Sequence, residues 1–342
     1  MRTVLSTSLL VFLAVSTSAQ DLRDPRETHL ANLRQLTFGG ENAEAYFDRT
    51  GERLILQSTR DGFECDQIFT MKIDGSDVRL VSTGKGRTTC SYFFPDGSRI
   101  LYASTHHVSP DCPPKPDHSH GYVWPLYGYD VFTALPDGSD VRAITDDPGY
   151  DAEGTMNPQG TRIVFTSTRD GDIDLYSMAP DGSDVVRLTD EVGYDGGAFY
   201  SEDGTKIVYR AHHPQSEEEI AGFKAHLAAS EVEPFRLDLW VMDSDGSNKR
   251  RITDNASANF CPFFHPDGRR IVFASNLEDP KGHDFDLYLV GVDGTGLERV
   301  TWHADFDGFP MFSPDGRKIV FASNRHGSAP HETNVFIADW VE

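Results

Sequence analysis

Histidine occurs in two adjacent pairs, His106-His107 and His212-His213. Imidazole titrates near neutral pH and is the commonest side-chain ligand of transition metals. Oxygen donors accompany the pairs: Asp151, Glu153 and Asp195 stand between them, and Asn259 and Asp307 recur further along at one repeat position. His106, His213, Asp151, Glu153 and Asp195 together would offer a mixed nitrogen and oxygen site for a divalent metal ion. The same imidazoles can instead hydrogen-bond loop backbone, the Asx residues can serve turns, and no spacing here is that of a known zinc module. A second chemistry is offered by Tyr122 and Trp124, in Gly121-Tyr122-Val123-Trp124-Pro125-Leu126-Tyr127. Their rings either pack a loop onto its scaffold or form a stacking platform for a sugar or similar ligand.

A repeat must position these residues. Ser313-Pro314-Asp315-Gly316 leads into Arg317-Lys318-Ile319-Val320-Phe321-Ala322-Ser323, a tight turn followed by a β-branched, apolar run. The design recurs at Pro95-Asp96-Gly97, Pro158-Gln159-Gly160, Glu202-Asp203-Gly204 and Pro266-Asp267-Gly268, and more weakly at Arg49-Thr50-Gly51. A second turn follows each of the first five, at Asp74-Gly75, Asp137-Gly138, Asp181-Gly182, Asp245-Gly246 and Asp293-Gly294. One unit is therefore strand A, turn, strand B, loop, strand C, turn, strand D. Six units predict an all-β fold, a six-bladed β-propeller of four-stranded antiparallel blades. The last unit stops after strand C, whereas Arg34-Gln35-Leu36-Thr37 has the strand D pattern. The N-terminal strand is thus expected to pair into the last blade, making residues 20–342 a single propeller with no sheet edge left open.

In such a blade the A–B and C–D turns share one face, and the B–C loops and D–A connections share the other. From first-turn to second-turn Gly the count is 24, 41, 22, 42 and 26 residues for blades one to five. Blades two and four therefore carry B–C insertions, about 106–128 and 212–235. Eleven of the thirteen histidines fall on that same face, His29 and His265 being the exceptions. Counting from the turn glycine puts His106 and His213 in one column with Arg60, Arg169 and Arg325. Two further columns are expected to ring the channel entrance: Asn42, Thr88, Asp151, Asp195, Asn259 and Asp307, then Glu44, Cys90, Glu153, Gly197, Cys261 and Phe309. The blade-four insertion opens with Ser216-Glu217-Glu218-Glu219, a helix capping box, and Ile220, Phe223 and Leu227 follow at helical spacing.

These repeats resemble those of TolB-like propellers, with their Ser-Pro-Asp-Gly-x-x-Ile/Val-x-Phe-x-Ser pattern, over nearly the whole chain. The resemblance implies the six-bladed fold and leaves function open. TolB carries an α/β domain ahead of its propeller; about a dozen residues stand there in the expected mature chain. The propellers of prolyl-oligopeptidase-like peptidases look similar too, but the sequence has no Gly-x-Ser-x-Gly elbow for their chemistry.

Arg2, an apolar run from Val4 to Val15, and Thr17 and Ala19 predict a secretory signal over residues 1–19, hence a secreted or periplasmic protein. The net charge is −23, and −24 once Arg2 is removed, which disfavours nucleic acid and anionic membranes as partners. No stretch is long enough for membrane insertion, and a monomer is expected. Export permits disulfides. Cys65 and Cys112 lie in B–C loops of neighbouring blades and are expected to pair; Cys90 and Cys261 share an inner column on opposite sides of the ring.

Two functions fit. The first is a propeller that binds a small ligand, glycan or protein partner on its His-rich loop face, through His106, His107, His212, His213, Tyr122, Trp124, Asn259 and Asp307. The second is a metal-dependent lyase or hydrolase acting on a polar substrate such as a glycan at the same face, with the histidines and carboxylates as ligands.

Overall fold

The first turns are built by their own residues. In the last, Gly316 takes φ +69° and donates to Ser313 O at 2.8 Å, while Asp315 Oδ1 accepts from Ser313 Oγ at 2.6 Å and Arg317 N at 3.1 Å. A side chain at that φ would be strained, so glycine is required. Such a turn reverses the chain, and strand B pairs back on strand A.

The computed structural model describes residues 22–119 and 121–342. The expected signal segment and His120 lie outside them. Six four-stranded antiparallel sheets stand around a central axis. Blade one consists of Asn42–Phe47, Arg53–Ser58, Gln67–Lys72 and Arg79–Leu80, and blades two to five repeat its A-B-C-D order. Blade six takes Asp307–Phe312, Lys318–Ser323 and Asn334–Trp340, and its outer strand is Leu30–Gln35, antiparallel to Asn334–Trp340 with Leu30 opposite Trp340 and Gln35 opposite Phe336. That outer strand begins four residues before the Arg34-Gln35-Leu36-Thr37 pattern and is longer than the two-residue outer strands of the other blades.

Strand B is covered on both faces by neighbouring blades, so its apolar run is nearly continuous instead of alternating. Tyr102, Tyr209, Phe165, Phe273 and Phe321 are accordingly fully buried. Aromatic rings also cross the central channel: Tyr46 and Phe199 lie 5.4 Å apart, Phe199 and Phe263 5.3 Å, and Tyr46 and Tyr92 6.1 Å. On the turn face beyond them Arg49 pairs with Glu202 at 2.5 Å. The plug closes the channel part-way and leaves a blind cavity open to the loop face.

Two devices roof that face. The insertions of blades two and four meet in a short antiparallel ribbon, Trp124–Pro125 against Glu231–Val232. Ahead of the second ribbon strand runs a helix, Glu217–Ala228, started by the Ser216 and Glu219 capping box. A disulfide joins Cys65 to Cys112, with Cα atoms 5.9 Å apart, and ties the blade-two insertion to blade one. Cys90 and Cys261 are free thiols. Among the described residues no helix is long and apolar enough to cross a membrane.

Candidate functional site

Every strand A carries one irregularity that shapes the cavity. The pairing with strand B shifts register midway, between Ala43 and Tyr46 in blade one and at the equivalent place in the other five. A β-bulge of this kind holds one residue in the left-handed region and re-aims its side chain. Those residues are Glu44, Cys90, Glu153, Gly197, Cys261 and Phe309, with φ between 51° and 60°. All six line a cavity of about 810 Å³, within the range of small-molecule sites.

Tyr46 and Phe199 form its floor; Tyr129, Tyr150 and Phe260 stand along the wall, and Tyr122, Trp124 and Phe235 lie at the roof. Gly197 is the one ring position without a side chain. A β-carbon there would collide with the guanidinium of Arg210, which enters the cavity from strand B of the same blade. Arg210 is almost fully buried and pairs with Glu153. It also donates to Tyr194 Oη at 2.7 Å and lies 5.2 Å from the Trp124 ring centroid. Burial opposes the Arg210 charge most strongly, but Glu153 and the groups around it together outweigh that cost and hold the cation. Glu153 further accepts from Thr166 Oγ1 at 2.7 Å and from Gly197 N at 2.8 Å.

Glu44 is in a different state. Its one hydrogen-bond contact among the described residues is a weak one, from Cys90 Sγ at 3.9 Å. Burial, and next the charge of Glu153, push its carboxyl up to about 7 from an ordinary 4.5, with Arg210 pulling the other way. A carboxyl poised there can give or take a proton near neutrality. The Cys90 and Cys261 thiols are pushed well above their usual range, chiefly by burial, so neither is a ready thiolate.

Of the residues offered from sequence as ligand or metal contacts, Tyr122, Trp124 and Glu153 line this cavity, and the inner column of Glu44, Cys90, Glu153, Gly197, Cys261 and Phe309 lines it as expected. The two histidine pairs do not. His106 lies 4.3 Å from the Phe132 ring on strand C and its Nδ1 is 2.8 Å from Ser104 Oγ; His107 Nε2 is 2.9 Å from Asp130. His213 lies 5.3 Å from the Trp240 ring and its Nε2 is 3.0 Å from Asp195. His212 is half-buried, its pKa lowered first by that burial. The physical reason is the column. Arg60, Arg169 and Arg325 occupy it in other blades, each over an aromatic ring of strand C: Phe69, Tyr176 and Phe336. A histidine in this column caps its own blade and turns away from the channel.

The first carboxylate column is also re-aimed. Asp151 pairs with Arg169 at 2.9 Å and Asp307 with Arg325 at 2.7 Å. Asn259 donates to Leu237 O at 2.8 Å and accepts from Ser275 Oγ at 2.8 Å. All are buried within the sheet. Of the five side chains offered as metal ligands only His213 and Asp195 touch, and among the described residues no group of three His, Cys, Asp or Glu is placed to hold an ion. Arg210 is the functional residue the sequence reading missed, whereas Glu44 was placed on the ring without a role. The signal for Arg210 was a cation in the middle of an otherwise apolar strand B, against Gly197, the one glycine of the inner ring.

No protein-family model and no curated protein sequence matches the chain. Solved structures do. A putative TolB from Agrobacterium tumefaciens superposes with a TM-score of 0.59 at 20% identity, covering 89% of this chain and 91% of that one. TolB from Acinetobacter baumannii gives 0.58 at 16%, covering 88% of this chain and 64% of that one, so this chain spans less than two thirds of that protein. An oligogalacturonate lyase in complex with manganese gives 0.53 at 16%, covering 94% and 95%. The manganese named for that lyase finds no fitting donor set among the described residues here. At these identities the likeness is one of fold, and the fold is that of the TolB-like six-bladed propellers.

Proposed function

We propose that this is an exported propeller whose loop-face cavity binds a small polar ligand of about the size of a sugar. One observation carries the reading: a cavity of about 810 Å³, blind at the floor, roofed by two converging insertions and walled by aromatic rings around a poised carboxyl. Rigid scaffolds place binding groups on such loops. The aromatic faces supply apolar contact and Glu44 supplies a polar anchor. Tyr122 and Trp124 are the contacts we assign to the ligand. Export is supported by the Cys65–Cys112 disulfide, which an oxidising compartment maintains.

The test is a thermal-shift screen against mono- and disaccharides, uronates and small organic amines, repeated on Tyr122→Ala and Trp124→Ala. A stabilising hit of about 2 °C or more that both variants lose is expected, corresponding to saturating binding. No hit across the screen, or a hit that both variants keep, overturns the reading.

A further inference from the structure

The cavity has a sign of charge. Glu41, Glu44, Asp66, Glu153, Asp305 and Glu332 line it, against Arg87, Arg210 and Lys281 and the imidazoles of His283 and His331. Two of the three cations are already engaged, Arg210 by Glu153 and Arg87 by Asp66 at 3.7 Å. An anionic ligand such as a uronate would meet unneutralised carboxylates with little to answer them. A cation would not. Glu44 stands in the inner ring without a cation of its own, beside aromatic walls. Tyr122 and Phe235, 42% and 47% exposed, present open ring area at the mouth. The cavity also already holds one cation by this chemistry, since the Arg210 guanidinium sits 5.2 Å from Trp124 and 5.6 Å from Tyr194. Cations are drawn to aromatic faces, more strongly where water is excluded.

We propose that the cavity selects an organic cation, an amine or quaternary ammonium compound, with its charged head against Glu44 and its carbon groups on the aromatic wall. This rests on the reading of the cavity as a ligand site and names the ligand class. Binding should then follow the ionisation of Glu44. Its charged and titratable neighbours are Glu153 and Arg210 from blades three and four, Cys90 from blade two, and Asp66 and Tyr46 from its own blade. Protonation removes the anion that the cation needs, so affinity should fall as pH drops below about 7.

The experiment is calorimetric titration with choline, its neutral isostere in which carbon replaces nitrogen, and galacturonate. Choline should bind about tenfold or more tighter than the isostere. Glu44→Gln should remove that preference, and wild-type affinity for choline should weaken from about pH 8 to about pH 5. Equal or tighter binding of the isostere or of galacturonate overturns the proposal. So does a choline preference that survives Glu44→Gln, or a flat wild-type pH profile, which needs no variant to fold. A neutral or acidic sugar whose binding is lost in Tyr122→Ala would overturn the charge assignment alone. Failure of all three probes overturns the cation assignment, while the cavity reading falls only if the wider screen is also empty.

Discussion

Arg210 is the side chain on which the cavity wall depends. At its position in strand B the other blades have Gln57, Ala103, Thr166, Ala274 and Ala322. Only blade four puts a charge there, and only blade four has glycine, Gly197, at the neighbouring bulge position. Removing one member of a buried ion pair leaves the other uncompensated, at a cost of about 3–5 kcal/mol. Arg210→Met should therefore lower stability by about that amount in urea unfolding, and adding Glu153→Gln should restore much of it. A single-variant loss under about 1 kcal/mol would show that Glu153 finds another partner or water. The site was half legible at this scale. Counting from the turn glycines picks out the column of Glu44 and Glu153 as lining the channel, because a repeat fixes position. The neighbouring column of Asp151, Asn259 and Asp307 was expected there too, because residues two apart on a strand share a face. The bulge breaks that rule. It swings Glu44 and its equivalents inward and leaves Asp151, Asn259 and Asp307 inside the sheet. No residue type in strand A announces a bulge, since the six left-handed positions hold Glu, Cys, Glu, Gly, Cys and Phe.

Among the elements, the two insertions matter most, and they were legible to different depths. The capping box named the start of the helix Glu217–Ala228, because side-chain and backbone partners are set three residues apart. The ribbon of Trp124–Pro125 and Glu231–Val232 was not legible, because a two-residue strand has no periodicity to read. The histidine pairs misled for a related reason: adjacency drew attention to their chemistry, while the column that His106 and His213 share with Arg60, Arg169 and Arg325 described the packing of those two. The disulfide is what fastens the lid to the ring. It joins positions 47 residues apart, for which loop-closure entropy gives about 4 kcal/mol. Replacing Cys65 and Cys112 together by Ser should lower stability by up to that amount. It should also speed amide exchange across residues 106–128 more than in the strands of blade two, since the insertion loses its outer anchor. Uniform acceleration through the blade, or none, would place the lid's anchor elsewhere.

For the whole molecule the issue is how a ring of separate sheets stays shut. Each blade packs on its two neighbours, so one weak seam exposes two faces at once. The seam lies in blade six, where the first strand of the chain meets the last. Leu30–Gln35 supplies the outer strand there, and Leu30 and Leu33 are buried beneath it. Glu27, ahead of that strand, is buried against Arg325 at 3.0 and 2.9 Å, and Arg325 also pairs with Asp307 on the innermost strand. The N-terminal segment thus holds blade six at both its outer edge and its loop end. Burial of the segment's three leucines, Leu36 included, is worth about 1.5–3 kcal/mol each, and loss of one partner of a buried ion pair costs about 3–5 kcal/mol. Deleting residues 20–38 removes both and leaves the Asn334–Trp340 edge unpaired, a template for association. The deletion variant should melt many degrees lower and aggregate on unfolding. Glu27→Gln, which keeps the strand, should lose only the ion-pair share. Equal melting temperatures for wild type and deletion would contradict the seam. Equal losses for the deletion and for Glu27→Gln would mean that the buried charge, and not the strand, keeps the ring closed.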